Sequence, residues 1–317
     1  MRILICGDVV GSSGRKVVAE HVPRLRRDLD LDFVIVNGEN AAHGFGITAP
    51  ICAELYAAGA DVITTGNHVW DQREIAHHID GDPRLLRPLN YSDGTQSRAT
   101  DNPPLPGRAV PPGGGRTTES PRAYHNMAPL PAYHNMAPLP GRGAGVIAAR
   151  DGRQVLVIHP MGRLYMEPLD NPFTAVEAAL ANHRLGASVA AIVVDIHAEA
   201  TSEKMAMGVF LDGRVSAVVG SHTHVPTADA RILPGGTAYL TDLGMCGDYD
   251  SVIGMEKGLA TERFVRKVVG GRLEPAEGPG ALSGVYLETD DATGLARLIE
   301  PVRIGPGLAE AIPNRGR

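Results

Sequence analysis

The segment Gly220-Ser221-His222-Thr223-His224 follows directly on the apolar run 215–219. Two imidazoles one residue apart, at a turn that reorients successive side chains, can both reach a small ion, and histidine is the commonest metal ligand. Other metal-competent side chains stand at the ends of other apolar runs. Asp8 follows residues 2–7, Glu39 and Asn40 follow 33–37, Asn67 and His68 follow 61–65, and His197 closes the run 189–196. The donor set is oxygen and imidazole without thiolate, which suits Mn, Fe, Zn or Mg in five- or six-coordinate sites and argues against a structural zinc site. Six or more such groups exceed what one ion of this kind takes. Two ions about 3.5 to 4 Å apart, sharing one carboxylate, would use them all.

The elements that must position these groups are legible in the same runs. They are short, rich in Val and Ile and not alternating, as are 155–159 and 215–220, so they read as strands buried on both faces. Helical patterns lie between them. Val18, Val22, Leu25 and Leu29 mark one face of a helix that Ser12 or Ser13 could cap, and 50–58, 71–79 and 174–185 read as further helices. This alternation predicts right-handed βαβ units and an α/β fold with a mostly parallel main sheet. Ligand sites in such sheets lie beyond the carboxyl ends of the strands, which would gather the residues above. After residue 230 come shorter strands (237–241, 282–288, 296–300) and a helix near 261–268, read as a second sheet packed on the first.

At 317 residues and 43% hydrophobic content the chain can bury a substantial core. We read residues 1–317 as one domain carrying a Pro/Gly-rich insertion at about 92–145, where ten of the 24 prolines fall. Within it the nine residues 123–131 recur identically as 132–140, and His125 and His134 there read as solvated. A net charge of -6 and 4% aromatic residues disfavour a long nucleic acid as partner. A small phosphorylated molecule needs only a local positive centre. Cys6, Cys52 and Cys246 are too scattered for a disulfide framework or a thiolate zinc site. No run of about 18 apolar residues or signal-peptide pattern is present, so the expectation is a cytoplasmic protein without a membrane segment, with self-association left open. No GxGxxG follows the first strand, and 7–14 does not match a P-loop.

Taken in order, Gly7-Asp8, Asn37-Gly38-Glu39-Asn40, Gly66-Asn67-His68, His197 and Gly220 through His224 resemble the motif series of calcineurin-like metallophosphoesterases. The blocks 7–11, 37–44, 197–204 and 242–245 are similar, more narrowly, to the small bacterial YmdB-type phosphodiesterases. The resemblance covers nearly the whole chain outside the insertion. It implies a four-layer α/β/β/α sandwich and two metal ions, one held by Asp8, Asn40 and His224, the other by Asn67, His197 and His222, with Glu39 bridging. Two departures from the wider superfamily stand out. Asp8 is followed by Val9 and Val10 where Asp-x-His is usual, and the bridging residue is Glu39 where Asp is usual. The narrower branch shares both, with the Asn40 amide filling the vacancy. An amide in place of an imidazole makes that site harder, which puts Fe or Mn first, with Mg or Zn as alternatives.

The resemblance further implies a phosphodiesterase acting on 2',3'-cyclic nucleotides, with 3',5'-cyclic nucleotides as further candidates. Two divalent ions less two carboxylates leave about +2, and a hydroxide bridging them leaves about +1, still attractive to a phosphodiester. That hydroxide would attack phosphorus in line while His68, next to Asn67, protonates the leaving ribose oxygen. Asp195 is expected either to orient His197 from two residues away on the same strand face or to make a plain structural hydrogen bond. His43, His159 and Arg163 are candidates for substrate contact. The rival expectations are another metal phosphohydrolase, such as a phosphomonoesterase or ribonuclease, and a non-catalytic metal-containing regulatory protein.

Overall fold

The computed structural model describes residues 1–91, 139–266 and 270–313. Most of the expected insertion, including His125 and His134, lies outside the described residues. In chain order β1 (Arg2–Val10), α1 (Gly11–Asp28), β2 (Phe33–Asn40), α2 (Ala49–Ala57) and β3 (Val62–Thr64) come first, followed by α3 (Ile75–His78) and β4 (Leu85–Leu86). A second series runs β5 (Ala144–Ala148), β6 (Gln154–Ile158), α4 (Pro172–Leu180), β7 (Ala191–His197), α5 (Thr201–Leu211) and β8 (Ala217–Ser221). The chain continues through β9 (Arg231–Ile232), β10 (Ala238–Leu240), β11 (Met245–Cys246), α6 (Lys257–Val265), β12 (Leu282–Thr289) and β13 (Ala296–Ile304).

These strands form two sheets. One has the order β13-β12-β1-β2-β3-β4, with β11 also pairing β1, and the other the order β5-β6-β7-β8-β10-β9. Each has a parallel centre and antiparallel edge strands: β12 and β13 in the first, β5 and β9 in the second. The alternation of side chains along each strand separates three cores. Ile3, Ile5, Phe33 and Ile35 meet Val155, Val157, Val193 and Val219 between the sheets. Leu4, Val34 and Val36 face outward onto Val18, Val22 and Leu25 of α1 and Leu55 of α2. Leu156, Ile192 and Val218 face the other way onto Val176 of α4 and Met207 and Leu211 of α5. The result is the expected four-layer α/β/β/α sandwich, with runs buried on both faces because each sheet is covered on both.

The apolar runs predict one main sheet for the strand ends that carry the candidate ligands and a second sheet for the late strands. Instead β1, β2 and β3 belong to one sheet and β7 and β8 to the other, while the late strands divide between them. Strand composition does not encode its partner, so the apolar runs could not reveal this partition. Local boundaries move as well. The expected insertion end at 145 falls inside β5, which pairs antiparallel with β6 from Ala144 onward. The 71–79 helix shrinks to α3, because residues 67–74 are consumed in turns around the site. Helix α5 was not anticipated: a lysine, Lys204, occupies its buried stripe beside Met207, Gly208 and Leu211 and interrupts the apolar pattern. Neither Ser12 nor Ser13 caps α1, since the N-cap is Val10 and the Ser13 hydroxyl donates to Gly278 O (2.8 Å). No helix among the described residues is long and apolar enough to cross a membrane.

Gly7 allows β1 to approach the turn before β11. A Cβ there would lie 2.0 Å from Gly244 O, a backbone atom that can retreat only if the strand moves. Gly7→Ala is therefore expected to lower stability by about 2 kcal/mol or more, seen as an earlier midpoint in urea unfolding; an unchanged midpoint would contradict the close approach.

Candidate metal centre

The strand ends of the two sheets meet at one edge of the sandwich and bring all seven expected ligands together in two adjoining groups. In the first, β1 shifts register against β2 on either side of Asp8 and turns this carboxylate inward. Asp8 is fully buried; Oδ2 accepts the backbone N–H of His222 (2.8 Å), while Oδ1 has no hydrogen-bond partner. His224 Nε2 lies 3.4 Å from Asp8 Oδ2 and 3.2 Å from Asn40 Oδ1. Asn40 donates its amide to Gly44 O (3.1 Å), so its oxygen points to the site. His224 Nδ1 faces Ile253 O at 2.7 Å. A carbonyl can only accept, so the proton is on Nδ1 and Nε2 presents a lone pair to two further acceptors.

The second group is organised around His197. Its Nε2 lies 2.8 Å from Glu39 Oε2, 3.1 Å from Asn67 Oδ1 and 3.1 Å from His222 Nδ1. The metal-competent atoms of Glu39, His197 and His222 all lie within 4.8 Å of one another. The Ser221 hydroxyl donates to Asp195 Oδ1 (2.8 Å), leaving its oxygen to accept from His197 Nδ1 (3.0 Å). The protonated edge of His197 is thus its outer one, and Nε2 is the atom turned to the site. His222 Nε2 is 3.3 Å from Glu199 Oε2, a carboxylate that favours the proton on this outer nitrogen and a bare Nδ1. Gly66, before Asn67, makes this crowding feasible, since a Cβ there would lie 2.4 Å from His197 Nε2 and 2.5 Å from Glu39 Oε1.

The electrostatics describe a site short of positive charge. Burial, then repulsion from Glu39 and Asp242, pushes the Asp8 carboxyl well above the ordinary range. Burial above all drives His222 down to about 3, and burial also lowers His224, so both imidazoles are neutral near pH 7. Burial opposes ionisation of Glu39, but attraction from the surrounding imidazoles, His197 first, holds its carboxyl below the usual range. Buried oxygens and bare imidazole nitrogens converge here without enough protons to separate them. The orphaned Asp8 Oδ1 and this excess of acceptors fit a bound cation in each group.

Several supporting groups carried no signal in the sequence. His222 and His224 both have positive φ (98° and 64°), strained for residues with a Cβ, and the loop between them is pinned at Thr223. The Thr223 hydroxyl donates to Asp242 Oδ2 (2.7 Å), and Asp242 is paired at 2.7 Å with Lys204, both fully buried. Asp195 orients the imidazole of His197 through the Ser221 hydroxyl that stands between them. Its other oxygen accepts from Thr64 Oγ1 (2.6 Å), tying β7 of one sheet to β3 of the other. The spacing of Asp195 and His197 suggested their shared face; nothing suggested the intervening hydroxyl.

The remaining expected contacts separate clearly. His159 is fully buried, with Nδ1 donating to Asp195 O (2.9 Å), and so cannot reach substrate. The Arg163 side chain is exposed while its backbone N–H donates to Glu203. His43 is exposed and lines a cleft with Arg272. His68 is half-exposed beside the site: its backbone N–H donates to Glu39 Oε1 (3.0 Å) and its Nδ1 faces Asp71 Oδ2 at 2.8 Å.

The sequence model of the family described as YmdB-like protein matches residues 4–102 and 128–302. The chain belongs to the YmdB-like family. A curated relative from Bacillus subtilis (strain 168), named 2',3'-cyclic-nucleotide 2'-phosphodiesterase, is 42% identical over 304 residues, covering 96% of this chain and 97% of the relative. A Mycoplasma genitalium relative named putative phosphatase/phosphodiesterase MG246 is 30% identical, covering 96% and 93%. A solved Thermus thermophilus structure, described as a hypothetical protein, superposes with a TM-score of 0.76 at 34% identity, covering 96% of this chain and 99% of that one. A Mycoplasma pneumoniae structure described as a novel phosphatase matches with a TM-score of 0.76 at 30% identity, covering 96% and 93%. The resemblance drawn from the motifs is thereby borne out, and with it the two-sheet sandwich.

The excess of acceptors in this YmdB-like site has a measurable consequence. Asp8→Asn removes a buried carboxylate that only a cation or proton satisfies, so in chelator-treated protein it should leave the thermal midpoint unchanged or raised. Adding Mn²⁺ should raise the parent's midpoint and raise that of the variant much less. Equal shifts for parent and variant in calorimetry would exclude Asp8 from ion binding.

Proposed function

We propose that this YmdB-like protein is a dinuclear-metal phosphodiesterase that opens the phosphodiester of small cyclic nucleotides, foremost 2',3'-cyclic monophosphates. The observation that carries the reading is the pair of adjoining acceptor groups, tied by the His222 backbone N–H donated to Asp8 Oδ2, with His68 attached to Glu39 through its own backbone N–H. In this reading Asp8, Asn40 and His224 hold one ion, Asn67, His197 and His222 the other, and Glu39 serves both. The oxygen-rich donor set favours Fe or Mn, with Mg or Zn as alternatives. Bound divalent ions would supply positive charge for the phosphate and lower the pKa of a water molecule into the neutral range.

The chain's own residues then have defined tasks. Ser221, Asp195, Ile253 and Glu199 hold the outer edges of His197, His224 and His222, so that their inner nitrogens stay bare and aimed inward. The 2.8 Å contact of His68 Nδ1 with Asp71 Oδ2 keeps the proton on Nδ1, so the proton offered to substrate is that of Nε2. Its recipient is the departing ribose oxygen, whose alkoxide is a poor leaving group. The expected partner is a small phosphodiester in a cytoplasmic setting, since a net charge of -6 gives no general attraction to a long polyanion.

His68→Ala should retain bound metal yet lose about 10² to 10⁴ in kcat on 2',3'-cyclic AMP. Its loss on an aryl phosphodiester, whose leaving group needs no proton, should be much smaller. Parent-like turnover of the cyclic nucleotide by the variant would remove His68 from the mechanism. A metal-loaded parent inactive on 2',3'-cyclic, 3',5'-cyclic and aryl diesters would favour a regulatory role.

A further inference from the structure

Phe45 stands on a loop that its neighbours make rigid. His43, Gly44 and Gly46 have positive φ (53°, 85° and 75°), Phe45 N–H donates to Ala42 O (3.0 Å), and Gln72 Nε2 donates to Phe45 O (2.7 Å). The same loop receives the Asn40 amide at Gly44 O, so it is fixed to the metal centre at its base. The Phe45 ring meets the His68 ring edge to face, centroids 5.1 Å apart. Over Phe45 stands Arg272, its Cζ 5.8 Å from the ring centroid.

That distance is informative beside another pair in the molecule. Arg84 Cζ lies 3.7 Å above the Tyr56 ring, a closed stack. Arg272 and Phe45 are about 2 Å farther apart, at the edge of the range for a cation over an aromatic face. Arg272 is exposed and has no ion-pair partner among the described residues. It lines a cleft of about 610 Å³ together with His43, Glu256, Glu274 and Glu277.

We propose that the gap between the Phe45 ring and the Arg272 guanidinium receives the nucleobase of the cyclic nucleotide. The inference rests on the cyclic-nucleotide reading above: if His68 protonates the ribose oxygen, the nucleoside lies beside His68, and Phe45 is in contact with that ring. Both faces of the gap suit any base, since aromatic rings and guanidinium planes stack on bases regardless of sequence. Two stacking distances of about 3.5 Å need roughly 7 Å, which an exposed arginine reaches by swinging little more than about 1 Å. The carboxylates of Glu274 and Glu277 make the cleft unsuited to a second phosphate and offer acceptors to the amino groups of a base. The subsite thus selects a mononucleotide over a base-free cyclic phosphate.

The test compares kcat/KM for 2',3'-cyclic AMP with that for ribose 2',3'-cyclic phosphate, which lacks the base. In the parent the nucleotide should be preferred, and Arg272→Ala should reduce that preference on the order of tenfold, through KM rather than kcat. Arg272→Lys, which keeps the charge but loses the plane, should resemble the alanine variant. An equal fall on both substrates, or restoration by lysine, would assign Arg272 to the phosphate and overturn the proposal. If the metal-loaded parent hydrolyses neither compound, the catalytic reading fails by itself, and calorimetric binding of adenosine 2'-monophosphate then decides the subsite. Weaker binding by Arg272→Ala than by the parent would support it, and equal or absent binding by both would overturn it.

Discussion

The structure depends on a deliberate shortage of protons. Asp8, Glu39, Asn40, Asn67 and three imidazoles converge with their lone pairs inward, and Asp8 Oδ1 is left with no donor at all. Buried acceptors facing one another are costly unless something positive lies between them. The fold therefore has to hold these groups together against their own repulsion, and much of the molecule serves that purpose.

The restraint works at three distances. Nearest the site, acceptors such as Ile253 O, Glu199 and the Ser221 hydroxyl take the outer protons of the imidazoles and so decide which nitrogen faces inward. One layer out, the buried Lys204–Asp242 pair grips Thr223 and holds a loop whose two histidines are in positive-φ conformations. Between the sheets, Asp195 joins Thr64 on one side to Ser221 on the other. A buried ion pair such as Lys204–Asp242 contributes little net stability against an apolar pair of equal volume. Its use here is geometric, because it places a carboxylate where the strained loop can be fastened.

The candidate ligand types and their positions at the ends of apolar runs were legible because a strand buried on both faces leaves a plain signature and must end in a turn. The helix stripe of α1 was legible for the same reason, from Val18, Val22, Leu25 and Leu29, all buried. Helix α5 was not, because Lys204 lies in its buried face and its countercharge comes from Asp242, 38 residues away. The role of Ser221 was hidden in plain view between Gly220 and His222, since a serine in a turn ordinarily needs no explanation. Its importance appears only when Asp195 and His197, from a neighbouring strand, flank its hydroxyl.

By itself the sequence determined which atoms could bind an ion, that strands and helices alternate, and that the chain resembles metal-dependent phosphoesterases. Those properties are local: side-chain chemistry, apolar periodicity and the order of motifs are carried by neighbouring residues. Only the tertiary structure decided that the candidate ligands come from two sheets, which nitrogen of each imidazole faces inward, and that Phe45 lies beneath Arg272. Each of these depends on groups far apart in the chain meeting within a few ångströms, and neither composition nor spacing specifies the partner of a strand, a proton or a ring.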